Sequence, residues 1–202
     1  GPGHPHAGGA EKATHEYAKG WVKAGHNITL FTSDYPDCKP IETIDGVVII
    51  RRGSQILWVH LKAFLWYIGE RHEKFDLVID QFHGIPFFTP LFIRAKKIAF
   101  IHEVTKEIWK FNPLPLPLSL IPTIFGTILE PLIFKYIYQN IPFMTGSNST
   151  KEDLTNWGIS EQNITIIPYG LDVCPFNKIP VKQKKKTLIF LGALAKDKGI
   201  EE

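Results

Sequence analysis

Asp76-Leu77-Val78-Ile79-Asp80 and Ile98-Ala99-Phe100-Ile101-His102-Glu103 are the stretches that decide the fold. Each is a short unbroken apolar run, closed by acids or by a His-Glu pair. Neither alternates apolar with polar residues, so each predicts a strand covered on both faces. Between them Pro86 breaks the chain, and Phe88 to Ile93 predicts a short helix. A strand, a helical crossover and a second covered strand make a parallel unit.

The same alternation extends both ways. Toward the amino end lie strands at Ile28 to Thr32 and at Gly46 to Arg51, the latter opened by the Asp45-Gly46 turn pair. Ala10 to Ala24 is a helix, with Ala13, Tyr17, Trp21 and Ala24 on one stripe and Gly25 as the stop. Leu57 to Phe75 predicts a long aromatic-rich helix. Toward the carboxyl end come a helix at Ile124 to Tyr138 and a strand at Pro142 to Thr145. Ser149-Thr150-Lys151-Glu152 is a capping box for a helix ending at Gly158, and strands follow at Asn163 to Ile167 and Thr187 to Leu191. The expected class is α/β, with an open, Rossmann-like, mostly parallel sheet and helices on both faces. In such sheets ligands sit at the carboxyl ends of the strands.

Composition excludes several alternatives. With 44% hydrophobic and 21% charged residues, the 202-residue chain is neither disordered nor a disulfide miniprotein. Twenty-three basic residues against 20 acidic ones leave a formal charge of +3, too balanced for a nucleic-acid partner. Two distant cysteines, Cys38 and Cys174, and the absence of a signal-peptide pattern fit a reducing, cytoplasmic setting.

Three parts are expected. Residues 1–174 form the first domain. The proline-bearing stretch 175–186, with Lys182, Lys184, Lys185 and Lys186, reads as a solvated linker. Residues 187–202 open a second domain that is cut short. The Gly8-Gly9 loop runs straight into a helix, and the strand that normally precedes such a loop is missing from the seven residues before it.

Chemistry-bearing residues gather after the strands. Gly8-Gly9-Ala10-Glu11 places two glycines at a helix start, where free amides and the helix dipole suit a phosphate; the plainer reading is a flexible entry loop. It is not GxGxxG, which counts against a dinucleotide-binding oxidoreductase. His102, beside Glu103 at a strand end, stands where a substrate would lie, and His83 is placed similarly; either histidine also makes sense as a loop anchor. His4, His6, His83 and His102 fit no metal-ligand spacing, and no metal or other cofactor is expected.

Lys110 and Glu130 bracket 19 uncharged residues. Pro113, Pro115, Pro117 and Pro122 fall among them, each costing about 3 kcal/mol inside a helix. A regular spanning helix is thereby excluded. One reading is a long, mostly buried loop leading into a helix. The other is a surface element dipping into a membrane, with Trp109 and Phe111 at the interface and Lys106, Lys110 and Lys135 near anionic headgroups.

Taken together, the motifs resemble family 4 of the retaining, two-domain (GT-B) glycosyltransferases. The likeness rests on Gly8-Gly9-Ala10-Glu11 followed by Gly25-His26-Asn27-Ile28-Thr29-Leu30, and on Ser147 to Leu154 followed by Ile164-Thr165-Ile166-Ile167-Pro168-Tyr169-Gly170-Leu171-Asp172. Leu191-Gly192-Ala193-Leu194 with Lys198-Gly199 completes it.

The resemblance implies an amino-terminal domain that mainly binds a glycan or lipid-linked acceptor and a carboxy-terminal domain that binds a nucleotide-sugar donor. On that model His102 is the catalytic-site histidine beside the donor sugar. Gly8, Gly9 and Lys198 face the donor diphosphate. His83 and Glu103, from their own places after strands, are candidates for the acceptor cleft. The family usually has Arg where Ala193 stands, and its pair of glutamates seven residues apart would fall beyond Glu202. Those departures leave room for a non-catalytic sugar- or partner-binding module of the same fold, and they imply that this chain alone does not turn over substrate.

Overall fold

A computed structural model of the chain describes residues 8–55, 57–69, 74–82, 84–105, 109, 110, 112, 114–170 and 185–187. Within them lie seven strands in two sheets. The chain is α/β, and its larger sheet is wholly parallel, as the apolar strands predict. That sheet runs β4 (Leu77–Phe82), β5 (Lys96–Ile101), β6 (Phe143–Thr145) and β7 (Ile164–Ile166) in order, paired Asp80 to Ala99, Ile101 to Thr145 and Thr145 to Ile166. All four strands point the same way, so their carboxyl ends form one edge.

The smaller sheet runs β1 (Thr29–Thr32), β3 (Val47–Arg51) and β2 (Ile41–Ile44). β1 is parallel to β3, but β2 is antiparallel to it. Ile41-Glu42-Thr43-Ile44 was not expected as a strand; half of it is polar and it lies at the edge. Asp45-Gly46 is therefore a hairpin tip, with φ of 51° and 82°, as two-residue hairpins require. Gly46 also touches helix α1 (Gly9–Lys23): a Cβ there would lie 2.6 Å from Val22.

Around the parallel sheet an apolar core gathers Phe82, Ala99, Ile101, Phe134, Tyr138, Phe143 and Leu154. A second, smaller core joins Ala18 of α1 to Val47 and Ile49 of β3. Helix α2 (Trp58–Gly69) packs Trp66 against Phe31 and Phe75. It stops short of the expected Phe75, since Lys74 and Phe75 are not helical. Phe88 to Ile93 contains a single 3₁₀ turn, Thr89–Leu91.

The 19 residues Leu120–Tyr138 form one continuous helical segment, with π turns at Phe125–Leu129 and Phe134–Tyr138. The helix thus begins at Leu120 and not at Ile124, and the loop leading into it is exposed where a mostly buried one was one reading, with Leu114, Leu116 and Leu118 in solvent. Pro122 sits in the first turn, where its missing N–H would have had no partner in any case. Ile121, Ile124 and Ile128 stand exposed on the segment, and Leu116 just before it. By length and composition the helix could cross a membrane. Its inner face is nevertheless fastened to the core: Phe134 and Tyr138 are fully buried.

The last helix, Asn148–Asn156, corrects the capping box by two residues. Ser147, in extended geometry, is the cap, accepting from the Thr150 amide at 3.2 Å. The repeated Ser-x-Ser offered two caps, and Thr150 is spent elsewhere, its hydroxyl donating to the His102 carbonyl. Gly158, with φ 93°, ends that helix as expected.

Candidate functional site

His102 follows β5 directly, on the carboxyl edge of the parallel sheet. Three other elements converge on it. From the end of β4, the Gln81 amide nitrogen lies 3.1 Å from His102 Nε2. From the loop after β7, Tyr169 Oη lies 2.5 Å from Nδ1, and the two rings stack at 19°. From the cap after β6, the Thr150 hydroxyl holds the His102 carbonyl at 3.3 Å. Beneath the imidazole lies Phe100, 4.4 Å between ring centres.

Gly146 makes room for this packing. A Cβ at that position would come within 2.4 Å of the Tyr169 ring. Helix α1 joins the cluster through Tyr17, whose ring meets Phe100 edge-on at 5.8 Å. The Tyr17 hydroxyl is buried with no hydrogen-bond partner among the described residues. Burial raises the Tyr17 phenol above its ordinary range. The Tyr169 phenol is also raised, first by burial and then by Tyr17 and Glu103 nearby. It keeps its proton at neutral pH.

Behind the edge, Asp80 secures the loop after β4. Its carboxylate accepts from the Thr89 hydroxyl and the Tyr138 hydroxyl, both at 2.6 Å, and from the Phe87 and Thr89 amides at 3.3 Å. Burial pushes this carboxyl above the usual range, and the hydrogen bonds oppose the shift. His60 of α2 adds a bond to the Ile85 carbonyl and stacks on Phe87.

The sequence-predicted residues fare differently. His102 stands at the centre of a polar cluster, and Glu103 is beside it and exposed. Gly8 caps α1, but its amide donates to the Glu11 carboxylate at 2.7 Å. An acid thus occupies the amide expected to meet a phosphate. Gly9 opens the helix, about 12 Å along its axis from Tyr17.

Trp109 turns inward. Its indole N–H donates to the buried Glu130 at 3.0 Å, and its ring lies so close to Gly126 that a Cβ there would overlap it. His83, Phe111, Lys106 and Lys198 lie outside the described residues, as do residues 171–184 of the first domain and linker and the strand beyond Thr187. Among the described residues no three His, Cys, Asp or Glu side chains group to hold a metal.

Gln81 and Tyr169 were not picked out as site residues from the sequence. Gln81 is a lone amide within an apolar strand. Tyr169 was quoted only as part of a motif. The available signal was topological: both follow, or end, strands of the same sheet, and a parallel sheet brings such positions together.

Comparison with curated proteins gives no match to the chain. The family model described as Glycosyltransferase Family 4 matches residues 7–173, which include every strand of both sheets and the whole His102 cluster. With an α/β fold, a parallel sheet and a polar cluster on its carboxyl edge, the chain belongs to Glycosyltransferase Family 4 and supplies a domain of glycosyltransferase type.

Proposed function

We propose that this chain is the acceptor-side half of a transferase that moves a sugar from a nucleotide-sugar to a glycan or lipid-linked acceptor, with the anomeric configuration retained. The observation that carries the reading is the convergence of Gln81, His102 and Tyr169 on one edge of the parallel sheet. Donor-binding contacts, including Lys198, belong on this reading to a second domain opening in 187–202. Polar groups aimed at the leaving diphosphate would stabilise the charge that develops there. No metal or other cofactor enters the reading.

The acceptor side includes a membrane. Ile121, Ile124, Ile128 and Leu132 form an exposed apolar face on the helix Leu120–Tyr138, with Leu116 and Leu118 exposed just before it. The helix lies on the sheet through Phe134 and Tyr138, so its outer face is suited to lying on a bilayer. A peripheral position on the cytoplasmic face follows. Trp109, bonded to Glu130, takes no part in that contact.

One observation favours a second reading, a non-catalytic sugar- or partner-binding module: the Glu11 carboxylate sits on the Gly8 amide. Transfer assays decide between them. The chain followed by a nucleotide-sugar-binding half is incubated with UDP-glucose or GDP-mannose and a lipid-linked acceptor, and product configuration is read by NMR. Retained-configuration product, absent with the chain alone, supports the transferase; tight sugar binding without turnover supports the module.

A further inference from the structure

Both nitrogens of the His102 ring are already engaged. Gln81 presents its amide nitrogen, which carries only hydrogens, to Nε2 at 3.1 Å. Nε2 therefore accepts. A neutral imidazole has one N–H, so the ring proton sits on Nδ1 and donates to Tyr169 Oη at 2.5 Å. The phenolic oxygen spends one lone pair on that bond and keeps its own proton. Nothing in this arrangement leaves an imidazole nitrogen for a substrate.

Tyr169 is 42% exposed, so the phenol is the member of the cluster that reaches solvent. Its ring is fixed from two sides, by stacking on His102 and by lying against Gly146. The hydroxyl has little freedom except to turn its proton outward.

We propose that the Tyr169 hydroxyl is the group this site presents to its substrate, donating a hydrogen bond to a sugar hydroxyl or phosphate oxygen, and that His102 acts through it. His102 is then a positioning residue, and Gln81 selects its tautomer. The substrate class rests on the transferase reading above; the arrangement of protons does not. The opposite arrangement has the Gln81 amide reversed, Nε2 protonated, and the tyrosine proton spent on Nδ1. In that case Tyr169 offers a ligand only a lone pair.

The two arrangements differ spectroscopically. In the chain labelled with ¹⁵N-histidine, the His102 signals are assigned by their loss in His102→Asn. Their long-range couplings at pH 8 report which nitrogen is protonated. The expected result is protonated Nδ1 in the wild type and in Tyr169→Phe, with a mixture of tautomers in Gln81→Ala. Protonated Nε2 in the wild type overturns the proposal.

Kinetics of the chain joined to a donor-binding half supply the second arm, with UDP-glucose and GDP-mannose as probes. Tyr169→Phe keeps the ring and its stacking, and it is expected to lower kcat/KM about 10- to 100-fold. Turnover unchanged in Tyr169→Phe sinks the proposal while leaving the transferase reading intact. If the wild type turns over neither donor, that reading fails, and the tautomer alone decides the proposal.

Discussion

The carboxyl edge of the parallel sheet gathers aromatic and polar side chains, whereas the outer face of the helix Leu120–Tyr138 is aliphatic, and the two end in opposite conditions. At the edge, aromatic rings pack on one another and the central polar groups are bonded, Asp80 to Thr89 and Tyr138, His102 to Gln81 and Tyr169. On the outer face Ile124, Ile128 and Leu132 are 42–54% exposed. One helix carries both conditions, since Phe134 is fully buried six positions beyond Ile128. Burial there follows from what the segment packs against. On the proposed function, the contrast separates a region that positions chemistry from a region that meets a bilayer.

The largest test of that contrast uses two truncations on the one helix. Phe134→Ala opens the core beside Phe82, Phe143 and Trp157 and is expected to cost about 3–5 kcal/mol. Ile128→Ala should fall within about 0.5 kcal/mol of wild type. Urea denaturation reads both, and equal costs would erase the distinction between the faces. Gly126→Ala comes next. Its Cβ would fall on the Trp109 ring, so the indole must shift from Glu130 at a cost of about 1–3 kcal/mol. Displacement of the Trp109 indole N–H resonance reports it.

Asp80→Asn sharpens the edge side of the comparison. Replacing an acceptor-only carboxylate by an amide leaves one of its donors unpaired, at about 1–3 kcal/mol. It also changes the pH dependence. The Asp80 carboxyl is raised in the folded state, chiefly by burial. The native chain then holds that proton more tightly than the unfolded one. Its contribution to stability is fully present below an unfolded value of about 3.9 and is lost as pH rises through the folded value. Urea midpoints across that interval should lose this slope in Asp80→Asn.

The smallest effect on stability, and the clearest on binding, belongs to the outer face. Ile124→Gln with Ile128→Gln and Leu132→Gln should leave the urea midpoint nearly unchanged. It should abolish sedimentation with vesicles containing anionic lipid. Undiminished sedimentation would remove the bilayer from the account.

Much of the fold was legible because apolar runs at Leu77 to Ile79 and Ile98 to Ile101 admit few other readings. The alternating helices followed from spacing, as at Tyr17 and Trp21. What escaped was set by context. β2 is too short and too polar to stand out, and it exists because β3 offers it an edge. The cap at Ser147 won over Ser149 through the tie from Thr150 to His102. Pro122 was read as a helix breaker because its place in the turn depends on where the helix begins, which prolines alone do not tell. At the site, His102 could be picked out because it ends an apolar strand. Tyr169 could not, because it lies 67 residues away and only the β5–β6–β7 register brings it to the imidazole. Trp109 looked like an interfacial aromatic until Gly126 and Glu130 showed where its ring belongs.

The most direct test of the central claim compares wild type with His102→Ala in the chain joined to a nucleotide-sugar-binding half, measuring sugar transfer from UDP-glucose or GDP-mannose. If the sheet edge is the working site, His102→Ala loses about 100-fold or more in kcat/KM with its urea midpoint little changed. Equal transfer by the two proteins would contradict the account and move the chemistry away from this cluster.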